Sequence, residues 1–480
     1  MNKYLALCNF NTSGKHRNFA SYFIDEIMHL NRLVYRNHIK SSFSGSISLI
    51  SFLLFSVGTA SAQHGSKLTL ADALRVAKEN NIAIQKQQLE TQIAREEISE
   101  KKELRLPEVE FHSLYSRITD LTEFNSGFLQ DKQVTKTIPE IYDVSASFRM
   151  PLYAGNRINN AVKKAGHESE IALLKAEKTE NDVRLSIIAS FLGIYKMMEL
   201  QKIITQSIQE EQERLKEVKS FKAHGTVTKN EVLRAELQLS DRELNALTNQ
   251  KNTAIALHNL KTLLQLPEDE TIALDTMHII AALPAAENYD HYLKGALHNE
   301  EMKIAQQEIA IGNLERKIVK ANYYPTVSFF GNYSFKYPNY MFFPPNPYLY
   351  SLGQIGVEAT FNLSGLYKNK TRMHIADKKV EVQKVTAALV KNEMSDKIFK
   401  EYTQYHEILD RLPVTDKALE LAEENYRIVK LKYLNQLVLI TEMIDADNTL
   451  LEARFKKIAT RIDAAMKYYE LLHTADMLHE

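Results

Sequence analysis

The sequence predicts a mainly α-helical chain with a membrane-type β component: four amphipathic strands and two long helical hairpins, laid out as a tandem duplication. Three observations lead there. The order of elements is written twice, apolar positions recur at helical spacing over very long stretches, and four short runs alternate with a period of two.

The first copy has a helical segment ending at Leu106-Pro107, an alternating run Val109 to Arg117, a loop, a second alternating run Val144 to Leu152, and a long helix after Gly155. About 210 to 220 residues later the order returns. A helix ends at Tyr324-Pro325, strand-like runs Val327 to Phe335 and Ile355 to Leu363 follow, and a long helix begins after Gly365. Composition agrees: of 480 residues only 15 are Gly and 11 Pro, Trp is absent, and 25% are charged, the usage of long packed helices rather than compact globules.

Residues 47 to 57 form an apolar run preceded by Arg32, Arg36 and Lys40 and followed by Thr59-Ala60-Ser61-Ala62, the order of a secretory signal cleaved after Ala62. The run is well short of the ~20 residues a spanning helix needs. The leader is longer than usual, which leaves Met28 as an alternative start. Its removal leaves 54 basic and 58 acidic residues and takes away the only cysteine, Cys8. The exported chain would then have no disulfide, no thiol ligand and no N-terminal cysteine for a lipid. No basic patch for nucleic acid is present, and no cofactor or metal site is expected.

In the strands, Val144, Ala146, Phe148, Met150 and Leu152 would face one way and Asp143, Ser145, Ser147 and Arg149 the other. Ile355, Val357, Ala359, Phe361 and Leu363 likewise oppose Gln354, Glu358, Thr360 and Asn362. Val327, Phe329, Tyr333 and Phe335 oppose Thr326, Ser328, Asn332 and Lys336, with Phe330 the one apolar intruder. A soluble sheet alternates in the same way. However, runs of about 9 to 11 residues suit tilted membrane strands, and the Tyr-, Phe- and Pro-dense loop Tyr337 to Tyr350 suits an interfacial aromatic belt. A membrane barrel must close, with at least about eight strands, because hydrocarbon cannot satisfy open backbone groups. Four strands per chain therefore require several copies, and three would give twelve.

The helices are expected over about Arg157 to Lys222 and Lys229 to Leu266, then Lys368 to Lys432 and Thr441 to Leu472, with Pro413 expected to kink or break the third. Thr69 and Asp72 form a capping-box start and Asn80-Asn81 marks a break. The domain reading is a leader 1–62, a first repeat 63–266, a polar linker 267–290, a second repeat 291–474 and a tail 475–480.

The opening Leu68-Thr-Leu-Ala-Asp-Ala-Leu, the Leu-Pro107 and Tyr-Pro325 helix ends before strands, Met-Pro-Leu-Tyr-Ala-Gly155 and Phe-Asn-Leu-Ser-Gly365 after strands, and the duplication together resemble the TolC-type outer-membrane efflux proteins over residues 67 to 474. The resemblance implies a homotrimer in the outer membrane, a twelve-stranded barrel continued by an α-helical periplasmic tunnel. It also implies a periplasmic adaptor (membrane fusion) protein and an inner-membrane pump of RND or ABC type as partners, outer-membrane lipids around the barrel, and no catalysis.

The family's hairpin-turn motif is seen as Gly225-Thr-Val-Thr-Lys-Asn-Glu231-Val-Leu-Arg-Ala235 and again as Gln436-Leu-Val-Leu-Ile-Thr-Glu442-Met-Ile-Asp445-Ala446, with Gln436 where the family has glycine. Adaptor docking is implied at Gly225, Thr226, Val227 and Thr228 and at Leu437, Val438 and Leu439. Spacing alone reads Glu442 and Asp445 as a solvated pair favouring a helix start. The resemblance makes them an acidic ring at the tunnel entrance, selective for cations. Tyr433 and Glu231 match positions that latch the closed entrance; Val438 stands where some members carry a latching arginine.

Scattered histidines, among them His112 and His224 read as surface residues, and the lack of a phosphate loop or metal helix argue against an enzyme. A secreted coiled-coil scaffold would leave the strands without a task, and an adaptor would carry one hairpin rather than two. Small toxic compounds are the expected cargo, with a duct for protein secretion or metal export as the alternative.

Overall fold

The computed structural model describes residues 67–270, 272–275, 284–342 and 344–478. The signal segment with its cut after Ala62, the alternative start at Met28 and part of the 267–290 linker lie outside the described residues.

A short strand β1 (Lys67–Leu68) leads into α1 (Leu70–Asn80) and α2 (Ile82–Glu103). Thr69 caps α1 as expected: its Oγ1 accepts from the Asp72 amide at 3.1 Å and donates to the Asp72 carboxylate at 2.7 Å. Asn81 makes the break, its side chain accepting from Ala83 N and Ile84 N while donating to the Leu263 carbonyl. Then come β2 (Glu108–Arg117), β3 (Leu121–Phe124), β4 (Lys132–Thr135), β5 (Glu140–Tyr153), α3 (Arg157–Ala223) and α4 (Lys229–Leu264). After β6 (Ala273–Leu274), which pairs with β1, the order repeats as α5 (Tyr289–Ala296), α6 (Glu300–Lys320), β7 (Thr326–Tyr337), β8 (Tyr350–Thr360), α7 (Gly365–Leu434) and α8 (Ile440–Thr474).

The duplication extends to the core. Ala73 and Ala77 of α1 pack with Ile187, Phe191 and Ile194 of α3 and Leu260 and Leu264 of α4. Tyr292 and Ala296 of α5 pack in the same way with Ile398 and Tyr405 of α7 and Leu471 of α8. The hairpins join where Ile188 and Leu192 of α3 meet Ile462 and Ala465 of α8. At 67 residues, α3 is roughly 100 Å long at ~1.5 Å per residue.

The break that Pro413 could have caused does not occur. Pro413 lies inside α7, which runs unbroken from Gly365 to Leu434. The proline is exposed, Thr415 Oγ1 donates to the Leu412 carbonyl at 2.9 Å, and Tyr405, Ile408 and Ala422 bury the helix on its packed side. The one backbone bond that proline removes is outweighed by packing.

Strands β2, β5, β7 and β8 form an antiparallel sheet in that spatial order. Its register places Phe111, Ala146, Tyr333 and Gly353 in one row, and Val109, Phe148, Gly331 and Ile355 in the next, so one face is continuously apolar. A Cβ at Gly331 would lie 2.4 Å from the Phe148 ring, so any larger residue there would force that ring to move. On the other face Asp143 pairs with Lys336 at 3.1 Å, and Arg149 reaches across β7 to Glu358. Among the described residues both outer strands, β2 and β8, have an unpaired edge. The fourth strand sits earlier than expected, Tyr350–Thr360 rather than Ile355 to Leu363, and the β3–β4 hairpin was not foreseen. No described helix is long and apolar enough to cross a membrane.

Candidate functional site

The two hairpin turns lie together. Each is closed by the same backbone pattern: Thr226 N donates to Phe221 O and Gly225 N to Lys222 O in the first, Leu437 N to Lys432 O and Gln436 N to Tyr433 O in the second. These bonds demand a left-handed residue, supplied by Gly225 at φ 71° and by Gln436 at φ 59°. Glutamine therefore adopts glycine's conformation, at a cost of about 1 kcal/mol.

Below the turns Val218, Val232 and Ala235 of the first hairpin pack against Tyr433, Ile440 and Met443 of the second. Val227 and Val438 are half-buried against this cluster, whereas Gly225, Thr226, Thr228, Leu437 and Leu439 are exposed. Leu437 and Leu439 are 74% and 64% exposed, an apolar display at a turn where solvation favours polar residues. Thr226 turns its hydroxyl back to the Phe221 carbonyl at 2.9 Å.

Tyr433 is buried with its ring edge-on to Phe221, and among the described residues its hydroxyl has no hydrogen-bond partner. Burial pushes the phenol up to about 12, helped by the charges of Glu231 and Glu217. Tyr433 and Glu231 are thus near each other without a bond between them. Glu442 and Asp445 share an exposed face of α8 one turn apart, while Met443, Ala446 and Asp447 turn inward. Among the described residues neither acid has an ion-pair partner.

Sequence reasoning missed the most strongly charged feature of the region. Arg214 donates to Glu211 Oε1 at 2.7 Å and to Asp447 Oδ1 at 3.0 Å, and Arg242 donates to Asp447 Oδ2 at 3.1 Å. Arg242 also bonds Asn448 Oδ1, which accepts from Gln238 as well, and Tyr426 lies 3.4 Å from Arg214. All four charged side chains are buried, on α3, α4 and α8. Burial raises the Glu211 carboxyl to about 7, only partly opposed by Arg214 and reinforced by Asp447. Burial would raise Asp447 too, but Arg214 and Arg242 outweigh it and hold that carboxyl below its usual range. The network ties the two hairpins through ions that cannot be released singly without stranding a buried charge. The only local signal was the Glu211–Arg214 spacing, indistinguishable from a solvated helix face.

The sequence profile of the family described as outer membrane efflux protein matches residues 73–265. No curated protein matches the chain. Among solved structures, the outer-membrane channel OprN superposes with a TM-score of 0.69 at 15% identity, covering 85% of this chain and 89% of its own. VceC, an outer membrane protein of Vibrio cholerae, gives 0.69 at 14% identity, covering 85% and 95%. The open state of the Neisseria gonorrhoeae MtrE outer membrane channel gives 0.67 at 14%, covering 85% and 89%. The chain therefore resembles TolC-type outer-membrane efflux proteins, in sequence over its first repeat and in fold over most of its length.

Proposed function

We propose that this protein is the outer-membrane channel of a tripartite efflux system, passing substrate delivered by an inner-membrane RND- or ABC-type pump and a periplasmic adaptor to the exterior. The observation that carries the reading is the sheet: one continuous apolar face, a polar face crossed by ion pairs, and two unpaired edges. Hydrocarbon tolerates no open edge, so the edges must meet those of other copies, and three copies close a barrel of twelve strands. The hairpins, at roughly 100 Å, supply the tunnel.

In this reading residues 63–266 and 291–474 are the two repeats, joined by 267–290 and followed by the tail 475–480. Glu442 and Asp445 from three chains form an acidic ring at the entrance. The turns Gly225 to Thr228 and Leu437 to Leu439 receive the adaptor, with exposed Leu437 and Leu439 as apolar anchors. Tyr433 and Glu231 help hold the entrance closed by packing and charge. Conduction is passive, and small toxic compounds are the cargo.

Membrane fractionation followed by planar-bilayer recording tests this. The protein should resist carbonate, need detergent for extraction and give discrete cation-preferring conductance steps. Extraction by carbonate with no conductance would favour a peripheral scaffold instead.

A further inference from the structure

Where the strands meet the helices, a cavity of about 460 Å³ is lined by Tyr153 and Tyr324, by Asn159 and Asn160, and by Lys163 of α3 with Lys317 and Lys320 of α6. No carboxylate lines it. Among the described residues none of the three lysines has an ion-pair partner, whereas the adjacent Lys164 is held by Glu315 at 2.7 Å and Glu168 at 3.5 Å. Lys317 and Lys320 lie in the last turn of α6, where the helix dipole welcomes cations. That does not explain Lys163, in the second turn of α3 and outside the reach of either helix end. All three lysines are exposed, so water screens much of their mutual repulsion, and an anion seated among them would relieve the rest.

Tyr153 pairs in register with Val327, and Val327 with Ala359, so Tyr153 stands on the apolar face of the sheet at its helix-facing end. Oily strand face, tyrosines and lysines thus follow one another in the order of acyl chain, interface and headgroup. The cavity also lies away from the positions where further copies would join. It sits between α3 and α6, each flanked by another helix, under the central strands β5 and β7 rather than the open edges β2 and β8.

We infer that this cavity binds the phosphate of an anionic phospholipid in the periplasmic leaflet, with Lys163, Lys317 and Lys320 as its cationic ligands and the asparagine amides as additional donors. The inference rests on the outer-membrane reading above. Three lysines facing one phosphate leave no place for a cationic headgroup, so phosphatidylglycerol is favoured over phosphatidylcholine.

The test uses the full chain extracted in mild detergent and exchanged against phosphatidylglycerol, phosphatidylcholine or inorganic phosphate, with bound species counted by native mass spectrometry. Wild type should retain phosphatidylglycerol selectively. The variant Lys163→Gln/Lys317→Gln/Lys320→Gln should bind it roughly 100-fold more weakly, at about fivefold per lysine. Unchanged unfolding temperature and native-gel mobility keep a folding defect from mimicking the loss, and Lys→Arg replacement at the three positions should restore binding. Equal retention by the triple glutamine variant, no preference over phosphatidylcholine, or displacement of the lipid by inorganic phosphate would each overturn the inference. A chain that needs no detergent at all would instead defeat the membrane reading on which it depends.

Discussion

The two hairpin tips share a backbone and differ in almost every side chain that matters. Both close with the same bonds around a left-handed residue, Gly225 in one and Gln436 in the other. Counting from those residues, Glu231 and Arg234 of the first tip match Glu442 and Asp445 of the second, so one tip presents a neutral acid–base pair and the other two acids. The buried ions diverge as well. Glu211 and Arg242 correspond to Ala422 and Ala453, which pack quietly around Leu450. Turn geometry is thus kept by backbone hydrogen bonding, while the side chains give the second tip its exposed acids and the first hairpin three of the four buried ions, the fourth being Asp447.

The largest effect should come from breaking the anchor. Asp447→Ala strands Arg242, leaves Arg214 with Glu211 alone, and should destabilise by about 3–5 kcal/mol in denaturant unfolding. Glu236→Ala, the matching change in the first hairpin, removes only the half-exposed pair with Lys219 at 3.0 Å and should cost under about 1 kcal/mol. Equal losses would mean that the buried network is not the asymmetric element.

The acidic face comes next. Glu442→Gln with Asp445→Asn should abolish divalent-cation block and lower cation preference in single-channel recordings, whereas Glu231→Gln with Arg234→Gln should leave both nearly unchanged. If both pairs behave alike, the tips do not differ in function.

The anchor should also respond to pH. Glu211 is raised in the fold from 4.5 to about 7, so the protonated form is favoured by folding. Its contribution is complete below about 4.5 and is lost as pH rises through about 7. Asp447 runs the other way, contributing above its ordinary value near 3.8 and losing that as pH falls further. Unfolding midpoints should therefore rise on acidification from neutral toward pH 5, and Glu211→Gln should flatten that segment of the profile. A slope unchanged in the variant would assign it to another group.

The smallest effect concerns the turns. Gln436→Gly should stabilise by about 1 kcal/mol and Gly225→Ala destabilise by a similar amount, because only glycine holds the left-handed conformation without steric cost.

Much of this architecture could be read from the sequence because its signals are local. Alternation in Val144 to Leu152 and helical spacing in Arg157 to Lys222 survive in single stretches of chain, and so do the cap at Thr69 and the break at Asn80-Asn81. What escaped depends on distant partners. Leu121–Phe124 and Lys132–Thr135 form a fully exposed hairpin with no buried face to impose a period. Pro413 is a helix breaker whose local preference yields to packing against residues far along the chain. Glu211, Arg214, Arg242 and Asp447 carry the charges of ordinary solvated helix faces, and only the approach of three helices turns them into a buried network. The placement of Glu442 and Asp445 on one exposed face agrees with the spacing, while the ring they would form belongs to an assembly of chains.

That assembly is the central claim, and the mass of the detergent-extracted particle measures it most directly. Native mass spectrometry should return three chains per particle, the number that joins the open edges of β2 and β8 into one twelve-stranded barrel. A stable particle of one, two or four chains would contradict it.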